Sequence, residues 1–220
     1  GNPALISTTV KRTIEEYEGA IYLGVASNYL ADRKPGDTVM LAGPSGKRFL
    51  LPEDKAAYNY LFFATGTGIA PFRGMMLDLV RSDLAGQAAV LFGCSYRTDL
   101  LYADLFGGMD EQHENVHYLT AVSRENRRAD GSKKYVQTLL EDRQDLLQPI
   151  LEQENTLIYI CGLKGMETGI YRMLLELGLP GYLEWRKDAP EPEELGDVLA
   201  SLSDSDLKKR IRTTERVFEE

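Results

Sequence analysis

Histidine and cysteine are scarce in this sequence, with two residues of each among 220. Cys94 and Cys161 are too few for a disulfide framework, and they lack the partners that a four-ligand metal site needs. His113 and His117 have no carboxylate or cysteine at ligand spacing, which favours ordinary surface positions over a metal site. We therefore expect no metal ion, and the cysteine usage is compatible with a reducing compartment.

Long apolar runs and an excess of basic residues are lacking as well. No run approaches the roughly 18–20 apolar residues that a membrane span requires, and no basic-then-apolar leader opens the chain. Asp and Glu number 34 against 25 Lys and Arg, a formal net charge of −9. Since affinity for nucleic-acid phosphate comes from Lys and Arg, this balance argues against general nucleic-acid binding, although a local basic patch stays open.

The hydropathy pattern changes near residue 58. Before it, residues 5–14, 20–29 and 38–42 predict strands separated by turn signals. Three or four strands cannot close a barrel, which takes about six to eight, so this part is incomplete alone or packs on something else. The sequence also begins at Gly1 without a methionine, which indicates a processed protein, an expression product or an internal fragment.

From residue 58 onward, apolar strands alternate with helices. Strands are predicted at 58–64, 88–93, 116–122, 156–160 and 215–218, and helices at 71–84, 99–106, 135–152, 166–177 and 193–212. Continuous apolar strands alternating with helices predict a parallel sheet covered on both faces. The predicted fold class is therefore α/β, with a doubly wound, Rossmann-like parallel sheet of five to six strands.

A glycine-rich turn, TGTGIAPFR at residues 65–73, directly follows the first of these strands. Glycines at a strand-to-helix turn let the backbone approach a phosphate, and N–H groups of the next helix then point at the anion. Pro71 suits a first helical turn, where its missing N–H costs nothing. A proline replaces the third glycine of the common G-x-G-x-x-G pattern, so the residues alone allow a tight structural turn equally well.

The same string resembles the nucleotide-binding turn of the ferredoxin–NADP⁺ reductase family, and the resemblance continues in order along almost the whole chain. GVASNYL at 24–30, followed by KPGD at 34–37, is similar to the family's flavin-pyrophosphate segment. AVSRE at 121–125, with KKYVQ at 133–137, is similar to its 2′-phosphate pocket. ICGLKGM at 160–166 is similar to its last nucleotide-domain turn.

The chemistry of a 2′-phosphate agrees with the resemblance at residues 121–125 and 133–137. An adenosine 2′-phosphate suits a guanidinium fork, a hydroxyl donor and a flat ring over the adenine. Ser123 and Arg124 follow a predicted parallel strand, at the end where open α/β sheets bind ligands. Without the family pattern, a charged surface loop is the better interpretation; with it, NADP(H) is favoured over NAD(H).

The resemblance implies a flavin-dependent oxidoreductase that carries FAD and NADP(H). It places Cys161 beside the nicotinamide carbon that exchanges hydride, and it makes Phe218 the aromatic that covers the flavin. By residue type alone, Cys161 would be a small buried hydrophobe. Cys94 is interpreted as structural, and Arg97 as within reach of a phosphate. The implied cofactor-binding residues are Val25, Ala26, Ser27, Thr65, Gly66, Thr67, Gly68, Pro71, Ser123, Arg124, Lys133, Tyr135, Gln137, Gly162, Leu163 and Met166.

The chain departs from the family at both ends. The family's Arg-x-Tyr-Ser motif, which holds the flavin ring, lies upstream of the equivalent of Leu5. We therefore expect residues 1–57 to be the C-terminal part of an antiparallel FAD-binding β-barrel that lacks its N-terminal part, and residues 58–220 to be the NADP-binding domain. Two positions before Phe218, where plant-type members have a glutamate, stands Arg216 with Glu215 alongside. The alternative function is a flavin-free NADP-binding or regulatory domain of the same fold.

The family's partners are iron–sulfur or flavin electron carriers, often acidic ferredoxins. Basic pairs at 11–12, 47–48 and 127–128 and the run at 208–212 could form a docking face, or be solvated surface. A ferredoxin module fused upstream is one arrangement, and the reductase component of benzoyl-CoA epoxidation another. We expect a cytoplasmic protein, or a plastid-stroma one if the source is a photosynthetic eukaryote, with no membrane span and no nucleic-acid partner.

Overall fold

The computed structural model of the protein describes residues 6, 8–42, 49–187, 190 and 192–220. Contacts divide the chain into two units, residues 1–46 and residues 47–220. Within the described residues, no helix is both long and apolar enough to cross a membrane.

Unit 1 contains a β-hairpin followed by a short helix. Strands β1 (Ile14–Tyr17) and β2 (Ala20–Leu23) pair antiparallel. Glu18 and Gly19 join them with φ angles of 51° and 76°, the two successive positive φ values of a type I′ turn. Helix α1 (Val25–Ala31) follows. None of the described residues from 6 to 42 is buried, so the described part of this unit has no core of its own.

The three strand predictions in unit 1 are wrong for most of their described residues. Residues 24–29 are not the second half of a strand, because the Ser27 and Asn28 side chains bond to the carbonyl of Gly24, at 3.3 and 2.8 Å, and close a helical turn. Residues 8–13 and 38–42 lie outside any strand. Their β-branched residues favour an extended strand, but a strand forms only where a neighbouring strand is present to pair with it.

Unit 2 is an α/β domain. In chain order its elements are β3 (Asn59–Thr65), α2 (Ala70–Arg81), β4 (Ala88–Cys94), α3 (Ala103–Gln112), β5 (Val116–Val122), α4 (Leu139–Asp142), α5 (Gln144–Leu151), β6 (Thr156–Cys161), α6 (Met166–Glu176), β7 (Leu183–Trp185), α7 (Leu195–Ser201), α8 (Asp204–Arg210), β8 (Ile211–Thr213) and β9 (Val217–Glu219). Five strands form one parallel sheet in the order β5-β4-β3-β6-β9. This confirms the predicted fold class.

The strand order contains a topological switch point. The chain passes from β3 to β4 to β5 on one side, then crosses to β6 on the other side of β3. The loops that follow β3 and β6 therefore leave the sheet in opposite directions. Open α/β sheets bind ligands in the crevice that such divergence creates.

Two hydrophobic clusters cover the two faces of the sheet. Alternate residues of β3 supply both: Leu61 and Phe63 belong to one cluster, Tyr60 and Phe62 to the other, and all four are fully buried. Burial on both faces explains why β3 is apolar without alternation. Each such side chain contributes about 1.5–3 kcal/mol by leaving water.

The helix predicted over residues 135–152 is broken in the structure. A 3₁₀ turn, Val136–Thr138, leads into α4, and α5 begins after Arg143. Arg143 is in phase with the apolar stripe of Val136, Leu140 and Leu147, so a continuous helix would turn its charge toward the core. The break leaves the Arg143 side chain 43% exposed, which avoids the cost of burying an unpaired cation.

The C-terminal region differs from the prediction in a similar way. The helix expected over 193–212 is two helices, because the Ser203 side chain accepts a hydrogen bond from the Asp206 N–H and caps α8. Residues 211–213 then form β8, which pairs antiparallel with β7. The short strand predicted over 215–218 exists as β9, shifted toward the C-terminus. The helix expected over 99–106 is α3, also displaced by several residues.

Candidate functional site

Four loops gather at the carboxyl edge of the sheet, one after each of β3, β4, β5 and β6. Because these strands are parallel neighbours, their carboxyl ends lie side by side. The loops begin at residues 66, 95, 123 and 162. They carry most of the predicted site residues of unit 2. Among the described residues, no group of three His, Cys, Asp or Glu side chains could hold a metal ion.

The turns after β3 and β6 meet backbone to backbone at the switch point. A Cβ added to Gly68 would lie 2.2 Å from the Cys161 carbonyl oxygen. A Cβ added to Gly162 would lie 2.2 Å from Thr65 Oγ1 and 2.8 Å from the Thr65 nitrogen. The Leu163 N–H donates to Thr65 Oγ1 at 2.8 Å, which ties the two turns together. Gly68 and Gly162 are thus required by the packing of the turns.

Helix α2 begins directly behind the first of these turns. Residues Gly66–Ile69 form a 3₁₀ turn, with Gly66 at φ 54°, and Pro71 occupies the first turn of the helix. The first N–H groups of a helix have no partner within it, and the helix dipole adds positive potential there. Exposed Thr67 lies on the same turn. This arrangement suits an anion such as a phosphate.

The loops after β4 and β5 carry an exposed cation. Arg124 is exposed, and it donates from Nη1 to the Tyr96 hydroxyl at 3.2 Å. The Ser123 hydroxyl bonds to the Cys94 carbonyl at 3.3 Å. Lys133 and Tyr135 are also exposed. In the part of the chain that the structure describes, neither Arg124 nor Lys133 forms an ion pair, so both are available to an anionic ligand.

Other predicted residues have different surroundings. Gln137 packs beneath α6, since a Cβ added to Gly169 would lie 3.0 Å from its side-chain nitrogen. Met166 starts α6 and would touch a Cβ at Gly162 at 3.2 Å. Val25, Ala26 and Ser27 lie in unit 1, at the start of α1. There the Ser27 hydroxyl accepts from the Thr13 N–H at 3.1 Å.

Cys161 ends β6 and is half-buried, next to an acid that the sequence interpretation missed. Burial, and then the negative charge of Glu220, raise the pKa of the Cys161 thiol. The Glu220 N–H donates to the Ile160 carbonyl at 3.0 Å, so β9 holds this residue beside the end of β6. Glu220 also lines a cavity of about 330 Å³ together with Gly162, Leu163 and Glu219.

Glu215 and Arg216 are at the opposite edge of the sheet. The Arg216 guanidinium bonds to the carbonyls of Gln153 and Thr156, which stand at the start of β6. Four residues of strand, about 13 Å, separate Arg216 from Glu220. The sequence comparison assigned neither Glu215 nor Arg216 a role. Glu220 lies near the Cys161 thiol because of the register of β9, which the sequence does not reveal.

Phe218 lies in the middle of β9. Its ring stacks on Tyr159, with centroids 4.5 Å apart and planes 9° apart. Tyr159 is its register partner, two residues before Cys161, so the ring covers a face of the sheet. A covering role toward a ligand at the strand ends would require Phe218 to leave that stack.

The charge of Glu220 should be measurable in the reactivity of Cys161. We expect Glu220→Gln to lower the pKa of the Cys161 thiol, because the variant removes a negative charge that opposes the thiolate. Alkylation by iodoacetamide below that pKa should then be faster, since the thiolate is the nucleophile. A Cys94→Ser background confines the reaction to one thiol. Glu176→Gln, exposed at the far end of α6, is the charge-matched control; an equal rate in all variants would contradict the assignment.

Comparison with known proteins identifies the domain. The family described as the oxidoreductase NAD-binding domain matches residues 62–172, half of the chain. This chain belongs to that family. The matched region of this NAD-binding domain runs from β3 into α6 and includes all four loops of the carboxyl edge.

Relatives of this oxidoreductase NAD-binding domain are ferredoxin–NADP reductases. The chain is 38% identical over 192 residues to the chloroplastic leaf isozyme 1 of Oryza sativa subsp. indica, covering 84% of the chain and 53% of the relative. It is 35% identical over 175 residues to the reductase of Thermosynechococcus vestitus, covering 77% and 45%. The predicted resemblance to this family is confirmed. The chain spans about half the length of the curated relatives it matches.

A solved structure supports the fold. A mutant ferredoxin-NADP⁺ reductase from Plasmodium falciparum, crystallised with 2′P-AMP, superposes with a TM-score of 0.65. The match covers 94% of the chain and 69% of the other protein, at 21% identity. At this identity the similarity concerns the fold alone.

Proposed function

We propose that the chain is the dinucleotide-binding part of a ferredoxin–NADP⁺ reductase-type oxidoreductase. The whole enzyme would move hydride and electrons between NADP(H) and a one-electron iron–sulfur or flavin carrier, such as ferredoxin. The observation that carries the proposal is the meeting of two glycine turns at the switch point, with Cys161 on one side and the exposed Arg124 on the other. The curated relatives, named as ferredoxin–NADP reductases, support it.

Each loop has a proposed role toward NADP(H). The turn of Thr65, Gly66, Thr67 and Gly68, with Pro71 behind it, would bind the pyrophosphate through backbone N–H groups. Ser123, Arg124 and Lys133 would bind the 2′-phosphate, and the exposed ring of Tyr135 would cover the adenine. Gly162, Leu163 and Met166 would lie along the rest of the dinucleotide, and Gln137 would support α6 from below. Two features support binding of such a ligand. The close backbone contacts at Gly68 and Gly162 leave no room for a Cβ, and the exposed Arg124 and Lys133 form no ion pair among the described residues.

Cys161 is proposed to border the nicotinamide carbon. Burial and Glu220 raise the pKa of its thiol, which keeps the side chain neutral next to a ring whose charge changes during hydride transfer. Phe218 is proposed as the aromatic at the flavin, on the condition that its ring leaves the Tyr159 stack.

A flavin is the second proposed cofactor. We assign residues 1–57 to the C-terminal part of an FAD-binding β-barrel, and residues 58–220 to the NADP-binding domain. The antiparallel hairpin without a buried residue fits a barrel fragment. Backbone N–H groups of Val25, Ala26 and Ser27 would bind the flavin pyrophosphate. When bound, FAD supplies the conversion of a two-electron hydride into single electrons.

The 2′-phosphate assignment is tested by Arg124→Ala. We expect the variant to lose about 1–3 kcal/mol of NADPH binding, since one charge-assisted contact disappears, while NADH binding changes little. Fluorescence or calorimetric titration of both nucleotides measures the difference. Arg81→Ala, which removes an exposed arginine at the far end of α2, should leave both affinities unchanged. Equal losses of NADPH and NADH in Arg124→Ala would contradict the assignment.

The lack of a buried residue in the described part of unit 1 also favours the alternative, a flavin-free NADP-binding domain. The absorption spectrum of the full-length protein distinguishes the flavin-dependent oxidoreductase from the flavin-free domain. Flavin bands that bleach with NADPH support the oxidoreductase. A colourless protein that binds NADP⁺ supports the flavin-free domain.

A ferredoxin-like carrier is the proposed partner. The basic clusters predicted as its docking face are mostly paired within the chain: Arg12 with Asp32, Arg128 with Glu141 and Asp142, Lys209 with Asp206, and Arg212 with Glu184. Lys47 and Arg48 lie outside the described residues. Apart from those of the partly buried Arg128, these ion pairs are exposed. Exposed ion pairs are weak and can be exchanged for pairs with a partner. The compartment we propose is the cytoplasm or a plastid stroma, in line with chloroplastic relatives.

A further inference from the structure

The pairing of β4 with β5 continues beyond the ends of both strands. Within the strands, paired residues are 28 apart in sequence, from Ala88↔Val116 to Cys94↔Val122. The Ser123 N–H then donates to the Cys94 carbonyl at 2.9 Å, and the Arg124 N–H to the Ser95 carbonyl at 3.0 Å. The two loops therefore run side by side, and the same spacing brings residue 96 opposite residue 124.

Tyr96 contacts Arg124 in two ways. The Arg124 Nη1 donates to the Tyr96 hydroxyl at 3.2 Å, and the guanidinium carbon lies 5.5 Å from the centre of the ring. Both side chains are exposed, Tyr96 to 45%. A stack and a hydrogen bond between exposed groups contribute little to folding stability, because water competes for both. Their effect is to restrict the position of a long side chain.

The next pair along these loops shows a different way of holding an arginine. Glu125 accepts from the Arg97 N–H at 2.9 Å, and its second oxygen lies 3.7 Å from Arg97 Nε. A carboxylate fixes the arginine but cancels its charge. Tyr96 is neutral, so it fixes Arg124 and leaves the positive charge in place.

The free donors of Arg124 are suited to a phosphate. A guanidinium has five N–H donors in a planar fork, and Tyr96 uses one of them. The others remain for the paired bonds that a phosphate accepts. Holding the fork in advance also reduces the entropy lost when the ligand immobilises it.

We propose that Tyr96 is a positioning residue for phosphate recognition at this edge of the sheet. It keeps the Arg124 guanidinium ready for a ribose 2′-phosphate, and so increases the preference of the chain for phosphorylated over unphosphorylated dinucleotides. This inference rests on the proposed function, in which Arg124 binds that phosphate.

Calorimetric titration of the full chain with adenosine 2′,5′-bisphosphate and with AMP tests the proposal, because the two probes differ only in the 2′-phosphate. Tyr96→Ala should weaken binding of the bisphosphate about three- to tenfold, the range expected for ordering one long side chain. Binding of AMP should not change. Tyr96→Phe keeps the stack and loses the hydrogen bond, so it should give a smaller loss and provides a test if the alanine variant folds poorly.

A double mutant separates positioning from direct contact. In an Arg124→Ala background, Tyr96→Ala should cause no further loss of bisphosphate binding, since a residue that acts through Arg124 has nothing left to hold. Arg81→Gln, which removes an exposed arginine at the far end of α2, should leave the ratio of the two affinities unchanged. Equal losses for both probes in Tyr96→Ala, or an undiminished loss in the Arg124→Ala background, would overturn the role of Tyr96. If the unaltered protein binds both probes equally well, the 2′-phosphate assignment itself fails.

Discussion

Under the proposed function, replacing Gly68 with alanine should reduce kcat/KM for NADPH about 100-fold in the full-length protein. The added Cβ would lie 2.2 Å from the Cys161 carbonyl oxygen, 2.6 Å from its carbon and 2.7 Å from the Gly162 Cα, all of them backbone atoms. No rotamer change can relieve that overlap, so the turns after β3 and β6 must separate. A displacement of about 1 Å in a site that orients two reactants costs about 100-fold.

The same variant should lose about 1–3 kcal/mol of stability, the usual cost of overpacking. Gly74→Ala is the matched control, because Gly74 lies inside α2 with nothing within 4 Å of an added Cβ. That change should be neutral or stabilising by up to about 1 kcal/mol, since alanine is the better helix former. Steady-state kinetics and thermal denaturation of the two variants give the comparison. Full activity in Gly68→Ala would show that the turns do not pack as described.

Arg216→Leu should cost about 3–5 kcal/mol of stability, the largest loss that we expect from a residue outside the sheet core. Arg216 donates to the carbonyls of Gln153 at 2.6 Å and Thr156 at 3.0 Å and to the Tyr182 hydroxyl at 2.8 Å, and its guanidinium carbon lies 4.1 Å from the Tyr182 ring centre. Leucine removes all of these bonds and leaves polar groups without partners. The melting temperature should fall by about 6–20 °C, at about 2–4 °C per kcal/mol for a domain of this size.

Arg212→Gln is the control for that loss. Arg212 pairs with Glu184 at the surface, and an exposed ion pair contributes about 0–1 kcal/mol. Arg216→Lys should be intermediate, because an ammonium group keeps the charge but cannot form the forked bonds. If β9 loosens in Arg216→Leu, Cys161 should also become more reactive, as in Glu220→Gln. An unchanged melting temperature would show that Arg216 does not anchor β9.

Local patterns in the sequence were sufficient for the sheet and for the turns at its carboxyl edge. Residues 60–64 of β3 are an unbroken apolar run, and the glycines of TGTGIAPFR predict the turn that follows it. Arg143 shows the limit of periodicity: one charged residue in phase with the apolar stripe ends a helix that the surrounding leucines favour. Whether Arg143 faces the core is decided by packing against the sheet, which a linear pattern does not contain.

Local patterns also lack the register of strand pairing, which decides which residues distant in the sequence become neighbours. Glu220 and Cys161 are neighbours because β9 pairs with β6, and Tyr96 meets Arg124 because two loops keep the spacing of β4 and β5. Neither pair follows from residue types or short spacings. Motif similarity placed Ser123 and Arg124, but it offered no partner for Arg124.

The position of β9 also affects how the domain is completed during synthesis. Among the strands of the described residues, β9 alone covers the outer edge of β6, and it leaves the ribosome after α6, the β7–β8 pair and two further helices. Until then, an apolar strand has an open edge of N–H and C=O groups to which another chain could add. The segment between β6 and β9 must be synthesised before β9 can pair, and a nascent chain is open to such misassembly throughout that time. The need for chaperones should therefore depend on β9 more than on the glycine turns.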